Sequence, residues 1–246
     1  MSHSPDTEFC RSLIQRLASL EADRARVLRH VSHEVKTPLA ALREGVALLC
    51  EEVVGPLTPE QREVANILEH NTLVLQQQIE DLLNYHATVL GASRLQRRQV
   101  SLRHLLDSVV EEQRLQWQAR DVRVLVDCGC AEAVVDPDKM RLAVGNLLSN
   151  AIAFSPAGGE IRLVSGASDG HLFIDCIDQG PGVAEADSER IFDPFVQGSR
   201  RPVAARQGSG VGLSIVQEVL VAQGGRVFLV RSERGAHFRM ELPYET

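Results

Sequence analysis

A chain of 246 residues is long enough for one large domain or two modest ones, and at 44% hydrophobic and 24% charged it has an ordinary globular composition. Its formal charge of -7 is mixed along the chain, which gives no support for nucleic-acid binding, where a basic patch or stripe is expected. No apolar run approaches the roughly 18 residues of a membrane span, the polar start is not followed by a signal-type apolar block, and the five cysteines are scattered and odd in number, so the chain as written reads as cytoplasmic.

In chain order, residues from about 10 to 90 are expected to be helical. Leu13, Leu17, Leu20, Arg24, Val27 and Val31 alternate at spacings of four and three, an a/d seam with one arginine in it. After a one-residue slip the spacing resumes at Val35, Leu39, Leu42, Val46, Leu49 and Val53. The stretch from Val54 to Pro59 breaks the helix with one Gly and two Pro. Thr58 is placed to cap a new helix, with Pro59 at its first position and Gln61 at its third. Val64, Leu68, Asn71, Leu75 and Leu82 continue the seam on that second helix, which is expected to reach about Leu90. Two long helices and a short turn make an antiparallel hairpin that buries too little alone, so a homodimeric four-helix bundle is expected. A coiled-coil linker with no chemistry would show the same seam.

From about residue 94 the period changes. Short strand-type runs at 122–126, 161–165, 172–177 and 227–230 alternate with helical stretches at 102–117, 138–154 and 212–222. The expected class is α+β, the hairpin being followed by a two-layer α/β sandwich. The expected division is a coiled-coil lead-in over 1–24, a helical domain over 25–91 and a sandwich over 94–246, with Gly91-Ala92-Ser93 at the boundary. Cys128 and Cys130, two apart, would share one face of a strand, but with no second pair and no spaced His they read as ordinary thiols.

Four clusters carry chemistry. In Ser32-His33-Glu34-Val35-Lys36-Thr37-Pro38-Leu39, His33 lies two positions before a seam residue and points away from the bundle core. An imidazole with one unprotonated nitrogen is a nucleophile near neutral pH, and Glu34 is placed to take or orient the proton on the other. Pro38 cannot donate to the carbonyl of Glu34, so a bend is expected at His33 and Glu34. A lone exposed histidine, or a metal pair of His33 with His30, is the alternative. Asn146 and Asn150, four apart, share a helix face and suit a hard cation such as Mg²⁺; capping or surface amides are the plainer reading. Asp178-Gln179-Gly180-Pro181-Gly182 follows a strand, and its carboxylate suits an adenine amine, although such residues also make ordinary turns. Gly208, Gly210 and Gly212 precede an apolar helix whose start would favour a phosphate. This is neither a dinucleotide fingerprint nor a P-loop, because the spacing differs and no Gly-Lys-Ser/Thr is present.

Together and in this order, these motifs closely resemble the bacterial sensor histidine kinase family from about residue 25 onward. His33–Leu39 resembles its H-box, Asn146–Pro156 its N-box, Asp178–Gly182 its G1 box, Phe192–Phe195 its F-box and Gly208–Leu213 its G2 box. The resemblance implies a dimerising phosphotransfer hairpin and a Bergerat-type ATP-binding sandwich. It implies that ATP phosphorylates His33 with Glu34 as proton acceptor, and that the phosphoryl group passes to an aspartate on a response-regulator receiver domain. It further implies that Asp178 bonds the adenine, that Asn150 holds Mg²⁺ with Asn146 nearby, and that Phe154 flanks the nucleotide. Gly180, Gly182, Gly208, Gly210, Gly212 and Leu213 would form the rest of the site. Residues 197–207 would be a lid carrying Arg200, Arg201 and Arg206 toward the γ-phosphate. Glu34 and Thr37 resemble the pair that removes phosphate from the partner. One departure stands out: Ala153 replaces the Lys or Arg usual three residues after the second asparagine. A different Bergerat-type ATPase would not need the hairpin, and a scaffold or phosphatase-biased regulator would bind ATP yet transfer poorly. The implied location is the cytoplasm, as a soluble member or as the cytoplasmic part of an inner-membrane sensor.

Overall fold

The computed structural model describes residues 35–53, 55–91, 95–129, 132–200 and 209–244. His33, Glu34, Arg201, Arg206 and Gly208 lie outside these, as does the seam from Leu13 to Val31. The chain separates into two compact units, Met1–Leu90 and Gly91–Thr246.

In the first unit residues 35–50 form helix α1, and Pro59–Gly91 form the 33-residue helix α2. The break falls where Gly and Pro demand it. Gly55 takes φ 129°, and a reciprocal capping box then starts α2. The Thr58 N–H donates to Gln61 Oε1 at 2.9 Å, and the Gln61 N–H donates to Thr58 Oγ1 at 3.3 Å. Glu52 secures the turn, accepting from the Leu57 N–H at 3.3 Å and pairing with Arg62. Further along, Arg43 Nη1 donates to Gln76 Oε1 at 3.3 Å, which sets the two helices side by side.

The predicted seam divides in two. Leu39, Val46 and Ala65 are buried within the hairpin, whereas Leu42, Leu49, Val53, Val64, Leu68 and Leu75 are exposed on a single chain. Ala65, one residue off the predicted second-helix seam, is the residue of that helix that is buried among the described ones. No helix among the described residues is long and apolar enough to cross a membrane.

The second unit has two sheets. β1 (Arg98–Ser101) pairs antiparallel with β3 (Glu132–Val135). The larger sheet contains β2 (Arg123–Cys128), β4 (Glu160–Ser168), β5 (His171–Ile177), β7 (His237–Pro243) and β6 (Arg226–Val230), in that spatial order. β2 runs parallel to β4, and the other pairs are antiparallel. Period-two alternation sends Ile161 and Leu163, then Leu172, Ile174 and Cys176, then Phe238, Met240 and Leu242 to one face. Helices α3 (Leu102–Glu112), α5 (Pro137–Phe154) and α6 (Gly212–Ala222) supply the opposing layer. They bury Leu102, Leu106 and Val109, then Met140, Val144, Leu147 and Leu148, then Ile215, Val216 and Leu220.

The helical stretch expected over 102–117 is two helices, α3 and the short α4 (Arg114–Ala119), because Gln113 leaves helical geometry at φ -99°, ψ 13°. Ser101 caps α3, accepting from the His104 N–H at 3.3 Å. Asp136 caps α5 ahead of Pro137, accepting from the Lys139 N–H at 3.1 Å. That buried carboxylate also accepts from the Gln96 N–H at 2.8 Å, and the Asp136 N–H donates to Gln223 Oε1 at 2.8 Å. Gln223 closes α6, so one satisfied polar node ties the entering chain to one end of each of α5 and α6. Cys176 is buried among these layers, and burial pushes its thiol up beyond any physiological titration.

Candidate functional site

Asp178 leaves the end of β5 and is only 5% exposed, unusual for a carboxylate that forms no ion pair with a described residue. Its Oδ1 accepts from the Gly180 N–H at 2.8 Å and from the Ala236 N–H at 3.0 Å. Its own N–H donates to the Ala236 carbonyl at 3.0 Å. Burial pushes the carboxyl above the ordinary Asp range, and the two backbone donors pull partly back. Gly235, at φ 74°, makes the pairing possible: a Cβ there would overlap the Asp178 carbonyl oxygen.

The other motifs gather around this carboxylate. A Cβ on Gly180 would lie 2.7 Å from the Phe154 carbonyl, so the loop after β5 seats directly on the end of α5. Asn146 and Asn150 are half-buried one turn apart on α5, with Phe154 a further turn on. Asn146 Nδ2 donates to the Leu142 carbonyl at 2.8 Å, and its Oδ1 lies 3.0 Å from where a Gly212 Cβ would be. Gly212 begins α6, and among the described residues no side chain caps its first turn, so its N–H groups suit another acceptor. Leu213, next in that turn, is half-buried.

Gly210 joins the Phe192–Phe195 motif to the same helix start. The Phe195 N–H donates to the Gly210 carbonyl at 3.0 Å, and a Cβ on Gly210 would approach the Val196 carbonyl at 2.7 Å. Phe195 itself sits at φ 66°, a costly conformation for an aromatic residue. Phe192 packs edge-on against Phe238 of β7 at 6.2 Å. Arg200 Nη1 lies 3.4 Å from the place a Gly182 Cβ would occupy. Asp187, on a short 3-10 turn after the Asp178 loop, accepts from both the N–H and the Oγ of Ser199 at 2.7 Å. Those two bonds hold its carboxyl below the usual Asp range.

The structure therefore brings together Asn146, Asn150, Phe154, Asp178, Gly180, Gly182, Gly210, Gly212 and Leu213. Thr37 lies exposed on α1 in the other unit. Ala153 is half-buried in the last turn of α5. Sequence reading missed Gly235, Ala236 and the Asp187–Ser199 contact. Gly235 precedes the alternation Phe238, Met240, Leu242, which signals β7 and hence a tight connection before it.

A buried carboxylate, paired amides and a glycine-rich helix start on one α/β sandwich define a class of ATP-binding domain. Residues 135–246 match the model of the histidine kinase-, DNA gyrase B- and HSP90-like ATPases, and residues 23–88 match that of the His Kinase A (phospho-acceptor) domain. The chain is 39% identical over 232 residues to the sensor histidine kinase GlrK of Escherichia coli (strain K12), covering 94% of this chain and 49% of that protein. It is 30% identical to the adaptive-response sensory kinase SasA of Synechococcus sp. (strain JA-2-3B'a(2-13)), covering 97% of this chain and 67% of that one. Among solved structures, full-length ShkA in complex with AMPPNP superposes with a TM-score of 0.68 at 29% identity, over 90% of this chain and 46% of that one. The chain belongs to the sensor histidine kinases. It spans about half the length of the GlrK protein.

Proposed function

We propose that this chain uses ATP to phosphorylate its own His33 and then passes the phosphoryl group to an aspartate on a response-regulator receiver domain. The observation that carries the reading is the convergence of three distant segments on α5 and the Asp178 loop: Gly180 seated on Phe154, Gly212 against Asn146, and Ala236 bonded to the Asp178 carboxylate. The similarity to ShkA, solved in complex with AMPPNP, supports nucleotide binding by this chain.

In this reading Asp178 accepts a hydrogen bond from the adenine amine, and Phe154 flanks the ring. The N–H groups at the start of α6, with Gly210 and Gly212 clearing the approach, receive phosphate oxygens, and the resemblance of Gly208–Leu213 to the G2 box assigns Gly208 to the same binding segment. Among the described residues no three His, Cys, Asp or Glu side chains cluster to hold a metal by themselves. The amide oxygen of Asn150, with Asn146 one turn away, is the donor type that suits a hard cation whose remaining ligands would be phosphate oxygens and water. When bound, Mg²⁺ neutralises phosphate charge. Arg200, Arg201 and Arg206 supply further positive charge toward the γ-phosphate. An unprotonated nitrogen of His33 attacks the γ-phosphorus; an N–P bond forms, the bond to the ADP oxygen breaks, and Glu34 takes the imidazole proton. Glu34 and Thr37 also serve dephosphorylation of the partner, Thr37 orienting the attacking water.

The apolar residues exposed on the hairpin support a homodimer. Leu42, Val64, Ile67, Leu68 and Leu75 form more apolar surface than a lone hairpin keeps in water. In domain terms, 25–91 is the dimerisation and phosphotransfer domain, 94–246 the catalytic domain, and 1–24 a coiled-coil lead-in, with the whole acting at the cytoplasmic side. The test is labelling with γ-³²P-ATP. Wild type takes up acid-labile, base-stable label, and His33→Ala takes up none while still binding ATP. Label retained in His33→Ala and lost in His30→Ala would move the acceptor.

A further inference from the structure

Asp187 lies in none of the motifs already assigned, yet it closes a loop with Ser199, 12 positions further on. Its Oδ2 receives both the N–H and the hydroxyl of Ser199 at 2.7 Å, and a Cβ on Gly198 would sit 3.4 Å from the same oxygen. The turn carrying it is itself secured: the Asp187 N–H donates to the Ala184 carbonyl at 2.9 Å, and the Arg190 and Ile191 N–H groups donate to the Asp187 carbonyl at 2.9 and 3.0 Å. The next residue after Ser199 is Arg200, whose guanidinium lies against Gly182 in the Asp178 loop. A long, exposed arginine has many rotamers and a mobile backbone root would add more. Fixing the residue before it removes the backbone part of that freedom.

We propose that Asp187 is a positioning residue for nucleotide binding: by clamping Ser199 it roots Arg200 beside Gly182, at the adenine end of the site, from which the long side chain swings to the phosphate chain of ATP. The inference rests on the reading of the Asp178 loop as the adenine site. It gives Arg200, the one of the three candidate arginines among the described residues, a defined root, and it gives a carboxylate a part in holding nucleotide.

The test uses the full chain and two probes, ATP and adenosine, titrated against wild type, Asp187→Ala, Asp187→Asn, Arg200→Ala and the double variant Asp187→Ala/Arg200→Ala. Loss of one charge-assisted phosphate contact should weaken ATP binding about tenfold in Arg200→Ala. Asp187→Ala should lose most of that factor, and the double variant should be no weaker than Arg200→Ala, since both changes remove the same contact. Asp187→Asn keeps an acceptor for both Ser199 donors and should stay within about twofold of wild type. Adenosine binding should be unchanged throughout. Ser199→Ala, which deletes one of the two bonds and leaves the turn intact, should show a smaller loss of the same kind, so the proposal remains testable if Asp187→Ala folds poorly. Additive losses, or equal losses for ATP and adenosine, would overturn it. Asp178→Asn separates the two readings. If that variant binds both probes like wild type, the adenine site itself is misassigned. If it loses both while Asp187→Ala and Ser199→Ala bind ATP normally, the clamp alone is wrong.

Discussion

Replacing Gly235 with Ala is a stringent test of how the Asp178 carboxylate is held. Gly235 sits at φ 74°, and an added Cβ would run into the Asp178 carbonyl and lie 3.0 Å from its Oδ1. An L-residue in the left-handed region costs about 1–2 kcal/mol. The backbone must also shift, pulling the Ala236 N–H away from Oδ1, now 3.0 Å distant. Losing a hydrogen bond to a charged group costs about 1.5–3 kcal/mol. The sum is about 2.5–5 kcal/mol, a large part of a domain's stability but not all of it. The variant should therefore fold, unfold at lower urea, and bind ATP about tenfold or more weakly, because the carboxylate is no longer aimed. Urea titration and calorimetric ATP binding on the same preparation measure both. ATP affinity within about twofold of wild type and stability within about 0.5 kcal/mol would refute the idea that this connection orients Asp178.

Other expected outcomes follow from the same geometry. The raised pKa of Asp178 means the folded state binds its proton more tightly than the unfolded chain, so the ionised carboxylate costs stability at neutral pH, and that cost fades as pH falls through the raised value. Asp178→Asn should thus gain stability at neutral pH while losing ATP affinity, and wild-type ATP binding should weaken on acidification above the ordinary Asp titration; urea melts and calorimetry across pH decide both. Ala153→Lys should raise the autophosphorylation rate about tenfold by adding a cation one turn beyond Asn150. No change there, with the Ala variants of Arg200, Arg201 and Arg206 all fully active, would refute the idea of a missing or replaced cation. Leu68, 46% exposed on a single chain, should be covered in a dimer; Leu68→Glu should leave α2 helical by circular dichroism and shift sedimentation toward monomer. A dimer of unchanged affinity would place the interface elsewhere.

How much of this was legible depended on the strength of local chemistry. The turn between α1 and α2 is plain because Gly55 can take the positive φ that ends one helix, Pro56 withholds a backbone donor, and Thr58 with Pro59 starts the next. The site residues were found by order and spacing, and their meeting place needed three dimensions. Nothing local to Asp178 points to Ala236, which lies 58 residues away. β7 is legible in principle, since Phe238, Met240 and Leu242 alternate with Arg239 and Glu241 as in a half-buried strand; what the pattern does not name is the polar partners on its other face, Asp175 for Arg239 at 2.7 Å and Arg226 for Glu241 at 2.6 Å. β1 and β3 are four residues each, too short for a period to register. In the sequence the hairpin seam reads as one stripe, whereas in the fold Leu39 and Val46 are buried and Leu42 and Leu49 are not.

The node of Gln96, Asp136 and Gln223 bears on where this protein can be cut. The ATPase family model begins at residue 135, but Asp136 takes a backbone donor from Gln96, and β2 is the strand that pairs with β4. A fragment excised at the family boundary would expose β4 as a raw edge open to other chains. It would also strip Leu102, Leu106 and Val109 from α5, each a burial of about 1.5–3 kcal/mol. Together about 4.5–9 kcal/mol, that loss is a large share of a typical net stability of about 5–15 kcal/mol. The inherited module and the folding module thus have different borders, and a gene fusion that swaps catalytic domains between such kinases must be spliced ahead of Gln96.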